Sequence, residues 1–142
     1  MQVETILQSK GHAVFTVEAG APLSEAVHIL NSKKIGAVVV VDAKGKVAGI
    51  LSERDIVRRL EKDPVALLAS PVRNAMTAKV ITSSPGASVS DLMETMTQHR
   101  IRHIPIVDGG KLTGIVSIGD VVKRKIEETE QEALALKEYI AS

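Results

Sequence analysis

Cysteine is absent from this 142-residue chain, which excludes disulfides, thiolate metal sites and a cysteine nucleophile and fits a reducing compartment. Tryptophan is also absent, and Phe15 and Tyr139 are the only aromatics. That argues against an aromatic platform for a single-stranded nucleic acid, which relies on base stacking. Neither sign of charge dominates: 18 Lys and Arg face 17 Asp and Glu, for a formal +1. No long-range field therefore draws the chain to DNA or to an acidic membrane. No apolar run approaches the roughly 18 residues that suggest a membrane span, and Met1-Gln2-Val3-Glu4 opens nothing like a signal sequence. The expectation is a soluble cytoplasmic protein without a nucleic-acid or membrane partner.

What the chain does have is 44% hydrophobic residues, almost all aliphatic, arranged in two similar halves. Gly49-Ile50-Leu51-Ser52-Glu53-Arg54-Asp55-Ile56-Val57-Arg58 returns as Gly114-Ile115-Val116-Ser117-Ile118-Gly119-Asp120-Val121-Val122-Lys123. Upstream, Phe15-Thr16 is echoed by Ile81-Thr82, Gly20-Ala21 by Gly86-Ala87 and Ser24 by Ser90. The offset is 66 residues there and 65 from Ser52 to Ser117, one residue being lost where Asp42-Ala43-Lys44-Gly45-Lys46 becomes Asp108-Gly109-Gly110-Lys111. So long a period exceeds the ~20–50 residues of solenoid repeats and marks a tandem duplication of a small domain. Copies of about 60 residues are marginal alone, which favours one joint core and packing about a pseudo-twofold axis.

Each copy reads as an α/β unit of order βαββα. Val3, Ile6 and Leu7 have helical spacing and predict a short amphipathic helix ending near Gly11. In the first copy a strand over 14–17 precedes a helix with Pro22 in its first turn and Leu23, Ala26, Val27 and Leu30 on its apolar face. A hairpin over 35–41 and 47–51 follows, then a helix from Ser52 to the break at Asp63-Pro64. The second copy predicts a strand at 79–83, a helix over 88–100, strands at 101–107 and 111–116, and a long helix from Ser117 to about Ile140. The expected boundaries are 1–62 for the first repeat, 63–76 for a helical linker, 77–126 for the second repeat and 127–142 for a helical extension.

The chemistry-bearing pattern is Gly, two aliphatics, then Ser-x-x-Asp at a strand-to-helix junction in each copy. Its plain structural reading is a capping box, with serine at the N-cap and an acid three residues on. The same geometry suits a ligand: a helix N-terminus presents free N–H groups to an anion, and an ionised carboxylate accepts hydroxyls such as those of ribose. Both junctions fall at the carboxyl end of a strand, where α/β architectures place ligands.

With the duplication, these motifs and Ile104-Pro105-Ile106-Val107-Asp108, the chain resembles a pair of cystathionine-beta-synthase (CBS) domains, the Bateman module, over about residues 1–126. It is most similar to stand-alone bacterial CBS-pair proteins. The resemblance implies adenine-nucleotide binding (AMP, ADP, ATP, NAD(H) or S-adenosylmethionine) between the copies, with no catalytic cofactor. It implies a site I of Ser52, Arg54, Asp55, Thr77, Val80, Ile81, Arg102, His103 and Pro105. Site II would take Lys10, Val14, Phe15, Gly36, Ala37, Val38, Ser117, Gly119 and Asp120. Arg102-His103 corresponds to Gly36-Ala37, and Arg54 to Gly119, so site I has a guanidinium and an imidazole poised for phosphate where site II has none at the matching positions.

His99 and His103 stand four apart, but 101–107 reads as strand and no third metal ligand is near. The resulting expectation is a non-catalytic regulatory module that signals energy or redox state to an unidentified protein partner. Its rivals are a nucleotide-processing enzyme, for which no nucleophile–base pair is visible, and a ligand-free dimerisation module. CBS pairs commonly dimerise, and Leu92, Met93, Met96, Ile56, Val57 and Val121 are the expected homodimer face, with the C-terminal helix adding contacts.

Overall fold

The computed structural model describes residues 1–142. Helix α1 (Val3–Lys10) leads into β1 (Thr16–Glu18), α2 (Leu23–Lys33), β2 (Ala37–Val41), β3 (Val47–Ser52) and α3 (Glu53–Val57). Helix α4 (Pro64–Ala69) and a 3-10 turn at Val72–Asn74 connect to α5 (Val89–His99), β4 (His103–Asp108), β5 (Lys111–Ser117) and α6 (Ile118–Ala141). β2 lies between parallel β1 and antiparallel β3, whereas β4 and β5 form a two-stranded antiparallel sheet. The two repeats and the flanking helices follow the α/β order read from the sequence.

One expectation fails at the core. Instead of a joint core there are two, each of ten buried residues, and each is completed by a segment lying next to the other copy in the chain. Val3, Ile6 and Leu7 of α1 pack with Val89, Leu92, Ile104 and Val116 of the second copy. Val72 and Ala75 of the connection pack with Leu23, Val38 and Leu51 of the first. The backbone bonds repeat the exchange: Val3 N–H donates to the Ala87 carbonyl (2.9 Å) and Val72 N–H to that of Ala21 (2.8 Å). The exchange is reciprocal, and the borrowed aliphatics enlarge repeats too small to close alone.

The exchange also explains the motif glycines. A Cβ on Gly49 would stand 2.5 Å from Met76 Sδ, and one on Gly114 would stand 2.6 Å from Leu7 Cδ2. Each glycine admits the incoming segment against its strand.

The strand expected at 79–83 is reduced to a single bridge between Ser83 and Ile106. In the first copy Val39 N–H donates to the Phe15 carbonyl at 3.3 Å. The matching residue is Pro105, which has no N–H to offer Ile81. One ladder bond is chemically impossible there, and Ile81 makes no main-chain hydrogen bond.

Helix α3 is shorter than expected. It buries only Ile56, leaves Val57 64% exposed, and stops before the anticipated break. Asp63 begins the next helix, its Oδ1 accepting from Ala66 N–H at 3.1 Å with Pro64 in the first turn.

Candidate functional site between the repeats

Both junctions form complete capping boxes. In the first, Ser52 N–H and Oγ donate to Asp55 Oδ2 at 2.9 and 3.0 Å, and Asp55 N–H reaches Ser52 Oγ at 3.4 Å. In the second, Ser117 N–H donates to Asp120 Oδ2 at 2.9 Å and Asp120 N–H to Ser117 Oγ at 3.2 Å. Capping engages one carboxylate oxygen only. Oδ1 of each aspartate accepts no hydrogen bond within the chain, so cap and ligand contact are compatible on one side chain.

The surroundings of the two aspartates differ. Asp55 opens onto a cleft of about 540 Å³ between the copies. Ile50, Val80 and Ile81 supply aliphatic surface, and Thr77 is fixed to β3 by paired backbone bonds with Ile50 at 2.9 and 3.0 Å. Arg54, Arg58, Lys79, Arg100 and Arg102 also line it, against only Glu53 and Asp55. None of these five cations belongs to any of the chain's three ion pairs. In a chain of net charge +1, unpaired positive charge has collected in one place.

At the second junction a cation is already in place. Lys10, at the end of α1, sets its Nζ 2.7 Å from Asp120 Oδ2 and donates to the Ile115 carbonyl at 2.9 Å. Burial raises the Asp120 carboxyl pKa, but the Lys10 and Ser117 hydrogen bonds and the Lys10 charge outweigh it, holding the group below the ordinary carboxylate value. The hollow beside Asp120 is only about 80 Å³ and is lined by Ile6, Ser9, Lys10, Lys123, Arg124 and Glu127.

His103 stands between the two regions. It pairs with Ser117 across β4 and β5, and a Cβ on Gly36 would lie 3.3 Å from its ring. Burial lowers its pKa, helped by Lys10 and Arg102 and opposed by Asp120 and Glu53.

A family model described as the CBS domain matches residues 10–62 and 72–127. The chain belongs to the CBS domain family. As a CBS pair it is 34% identical over 125 residues to the CBS domain-containing protein YhcV of Bacillus subtilis, covering 85% of this chain and 86% of YhcV. It is 37% identical over 120 residues to the mitochondrial CBS domain-containing protein CBSX3 of Arabidopsis thaliana. That match covers 82% of this chain but 58% of the longer relative. The crystal structure of the CBS-domain protein ATU1752 from Agrobacterium tumefaciens superposes with a TM-score of 0.83 at 44% identity, covering 87% of this chain and 92% of that one. The CBS domain pair of protein MJ0100, solved with 5'-methylthioadenosine and S-adenosyl-L-methionine, superposes with a TM-score of 0.79 at 26% identity, covering 90% and 98%. Adenosyl ligands thus bind a CBS pair of this shape, and no helix here is long and apolar enough to cross a membrane.

Among the residues singled out in the CBS sequence, Ser52, Arg54, Asp55, Thr77, Val80, Ile81, Arg102 and His103 line the cleft at Asp55. Pro105 is buried outside its lining. Gly36, assigned to the second site, lies on the wall of the first cleft instead. Val38 points into the first repeat's core, because alternation along β2 turns Val38 and Val40 inward, so it can offer a ligand only backbone. Ala37 is buried, Val14 half-buried, and Phe15 40% exposed with Lys33 Nζ 5.2 Å above its ring; none borders the hollow at Asp120. Gly119 is exposed in the first turn of α6.

Sequence reasoning missed Arg58, Lys79 and Arg100 in the cleft wall, and Arg100 carries the one usable signal. It ends α5 in the left-handed conformation (φ 54°), as Lys34 ends α2, with Ile101 and Arg102 between it and β4. His99 also lines the cleft, and nowhere in the chain do three or more His, Asp or Glu side chains converge as metal ligands would.

Proposed function

We propose that this CBS pair is a non-catalytic regulatory module that binds one adenine nucleotide, AMP, ADP, ATP or NAD(H), in the cleft at Asp55. In this reading it reports energy or redox state from the cytoplasm to a partner protein and acts as a homodimer. The observation that carries the reading is the conjunction at that cleft. A carboxylate with one free oxygen, half-buried aliphatics and five unpaired cations match ribose, base and phosphate in turn. The unpaired N–H and carbonyl of Ile81 add a donor and an acceptor suited to an adenine edge, which presents both types. The adenosyl ligands of the MJ0100 pair support the same ligand class. At the second junction Lys10 competes for the carboxylate, so the first cleft is the principal site.

The test is to denature purified protein, identify any released ligand by mass spectrometry, and titrate AMP, ATP, NAD and GMP by calorimetry. At least one adenine ligand should bind with about one equivalent per chain, and GMP should bind more weakly. Absence of heat for every adenine ligand at millimolar concentration would overturn the reading. Turnover of the bound nucleotide would replace it with the enzymatic alternative.

A further inference from the structure

The anticipated dimer face is largely unavailable: Leu92 and Met96 are 2% exposed, Val121 is fully buried and Ile56 is 9% exposed, all within their own repeats. The large aliphatics left in solvent are concentrated elsewhere, on α6. This helix has 24 residues, about 36 Å of rod. Ile118 and Val121 hold its first turn against the second core, while residues 129–142 are exposed throughout.

Beside the core-facing side of α6 runs a second stripe. Val122, Ile126, Thr129, Ala133, Leu136 and Ile140 follow one another at alternating intervals of four and three residues. That mean spacing of 3.5 is the repeat of a left-handed coiled coil. Val122, Ile126, Leu136 and Ile140 are 41, 53, 59 and 74% exposed. Leu134 lies off the stripe and Tyr139 flanks it.

The flanking charges indicate what covers it. Lys125 and Glu132 occupy one flank, Lys123, Glu130 and Lys137 the other. Two parallel copies set Lys125 against the partner's Glu130, and Glu132 against the partner's Lys137. Antiparallel copies set Lys125 against the partner's Glu132, and Glu130 against the partner's Lys137. In either direction opposite charges face and like charges do not.

We propose that the stripe on α6 is the seam of a two-stranded coiled coil with α6 of a second copy of this chain. The inference rests on the homodimer in the reading above but not on nucleotide binding. Fewer than three heptads make a short zipper, so association depends on protein concentration in the micromolar range.

The experiment is light scattering on the full chain and three variants. The native chain should give twice 15.1 kDa at tens of micromolar, and Leu136→Glu should raise the dimer Kd at least tenfold. A variant with Glu130→Lys and Glu132→Lys makes both flanks basic; one with Lys123→Glu, Lys125→Glu and Lys137→Glu makes both acidic. Each should dissociate alone, and an equimolar mixture should restore the dimer. If the native chain dimerises but all three variants do so equally well, the seam is wrong and the homodimer stands. A native monomer at tens of micromolar would overturn both, and neither outcome bears on the nucleotide titration.

Discussion

The Ser52–Asp55 and Ser117–Asp120 junctions are both complete capping boxes and opposite in what surrounds them. Each uses a single carboxylate oxygen to close its helix. Around the first, five cations remain unpaired over an open cleft; at the second, the lysine ending α1 is paired with the carboxylate through its capping oxygen, beside a hollow of only about 80 Å³. Duplication supplied the frame twice. The segments brought in from outside each copy, α1 on one side and the connection on the other, decide which frame stays open. A Ser-x-x-Asp motif therefore identifies a place where a site can be built, and the residues packed over it determine whether it is available.

The largest effect expected from this difference is on affinity. Asp55→Ala should weaken the principal adenine nucleotide by roughly ten- to a hundredfold, about 1.5–3 kcal/mol for a lost charge-assisted hydrogen bond. Asp120→Ala should leave that affinity within about twofold. Calorimetry on both variants checks this, with melting curves to separate loss of the cap from loss of the ligand. Equal losses in the two variants would erase the distinction between the junctions.

Arg102→Ala should act on phosphate rather than on the nucleoside. It should reduce AMP affinity by about tenfold while changing adenosine affinity little, and the AMP advantage should shrink with added salt. Equal losses for both ligands would remove Arg102 from the phosphate role and leave Arg54 or Lys79 to take it.

Most of this frame was legible in the chain because duplication doubles every signal. A weak capping pattern became specific once it recurred 65 residues later with a matching strand before it. Hairpins, the helix over 88–100 and the Arg102–Gly36 asymmetry followed from local pattern. Three features were not local. The exchange of α1 and the connection depends on which core each amphipathic segment meets, and Val3, Ile6 and Leu7 carry no mark of that. The lost strand follows from one proline, but only after Pro105 is aligned with Val39. The face of β2 that takes Val38 inward became clear only when the core was known.

A smaller effect is expected from opening the second junction. Lys10→Met removes the internal cation, and calorimetry should then detect a weaker second equivalent of nucleotide at millimolar concentration. Loss of a partly exposed ion pair should cost up to about 1 kcal/mol of stability. Because the Asp120 pKa is lowered in the folded state, this contribution is present above about the ordinary 3.8 and is lost as pH falls through the lower folded value. Urea melts of native and variant protein should differ at pH 7 and converge in acid. A persistent gap there would mean that Lys10 stabilises through packing of its stem, not its charge.

The smallest effect concerns the histidine between the two junctions. Burial is the first cause of the lowered His103 pKa, and Lys10 and Arg102 add to it against Asp120 and Glu53. The unfolded chain therefore takes up the proton more readily, near the ordinary 6.5, and stability contributed by neutral His103 falls as pH drops from above that value toward the lower folded pKa. His103→Asn cannot titrate, so it should lose less stability than the native chain between pH 7.5 and 5.5 in urea melts. A bound phosphate in the first cleft would favour the protonated ring, so saturating AMP should shrink the difference between native and variant. If native and variant lose the same stability over that range, with and without AMP, the ring is not coupled to either junction and serves only as packing against Gly36.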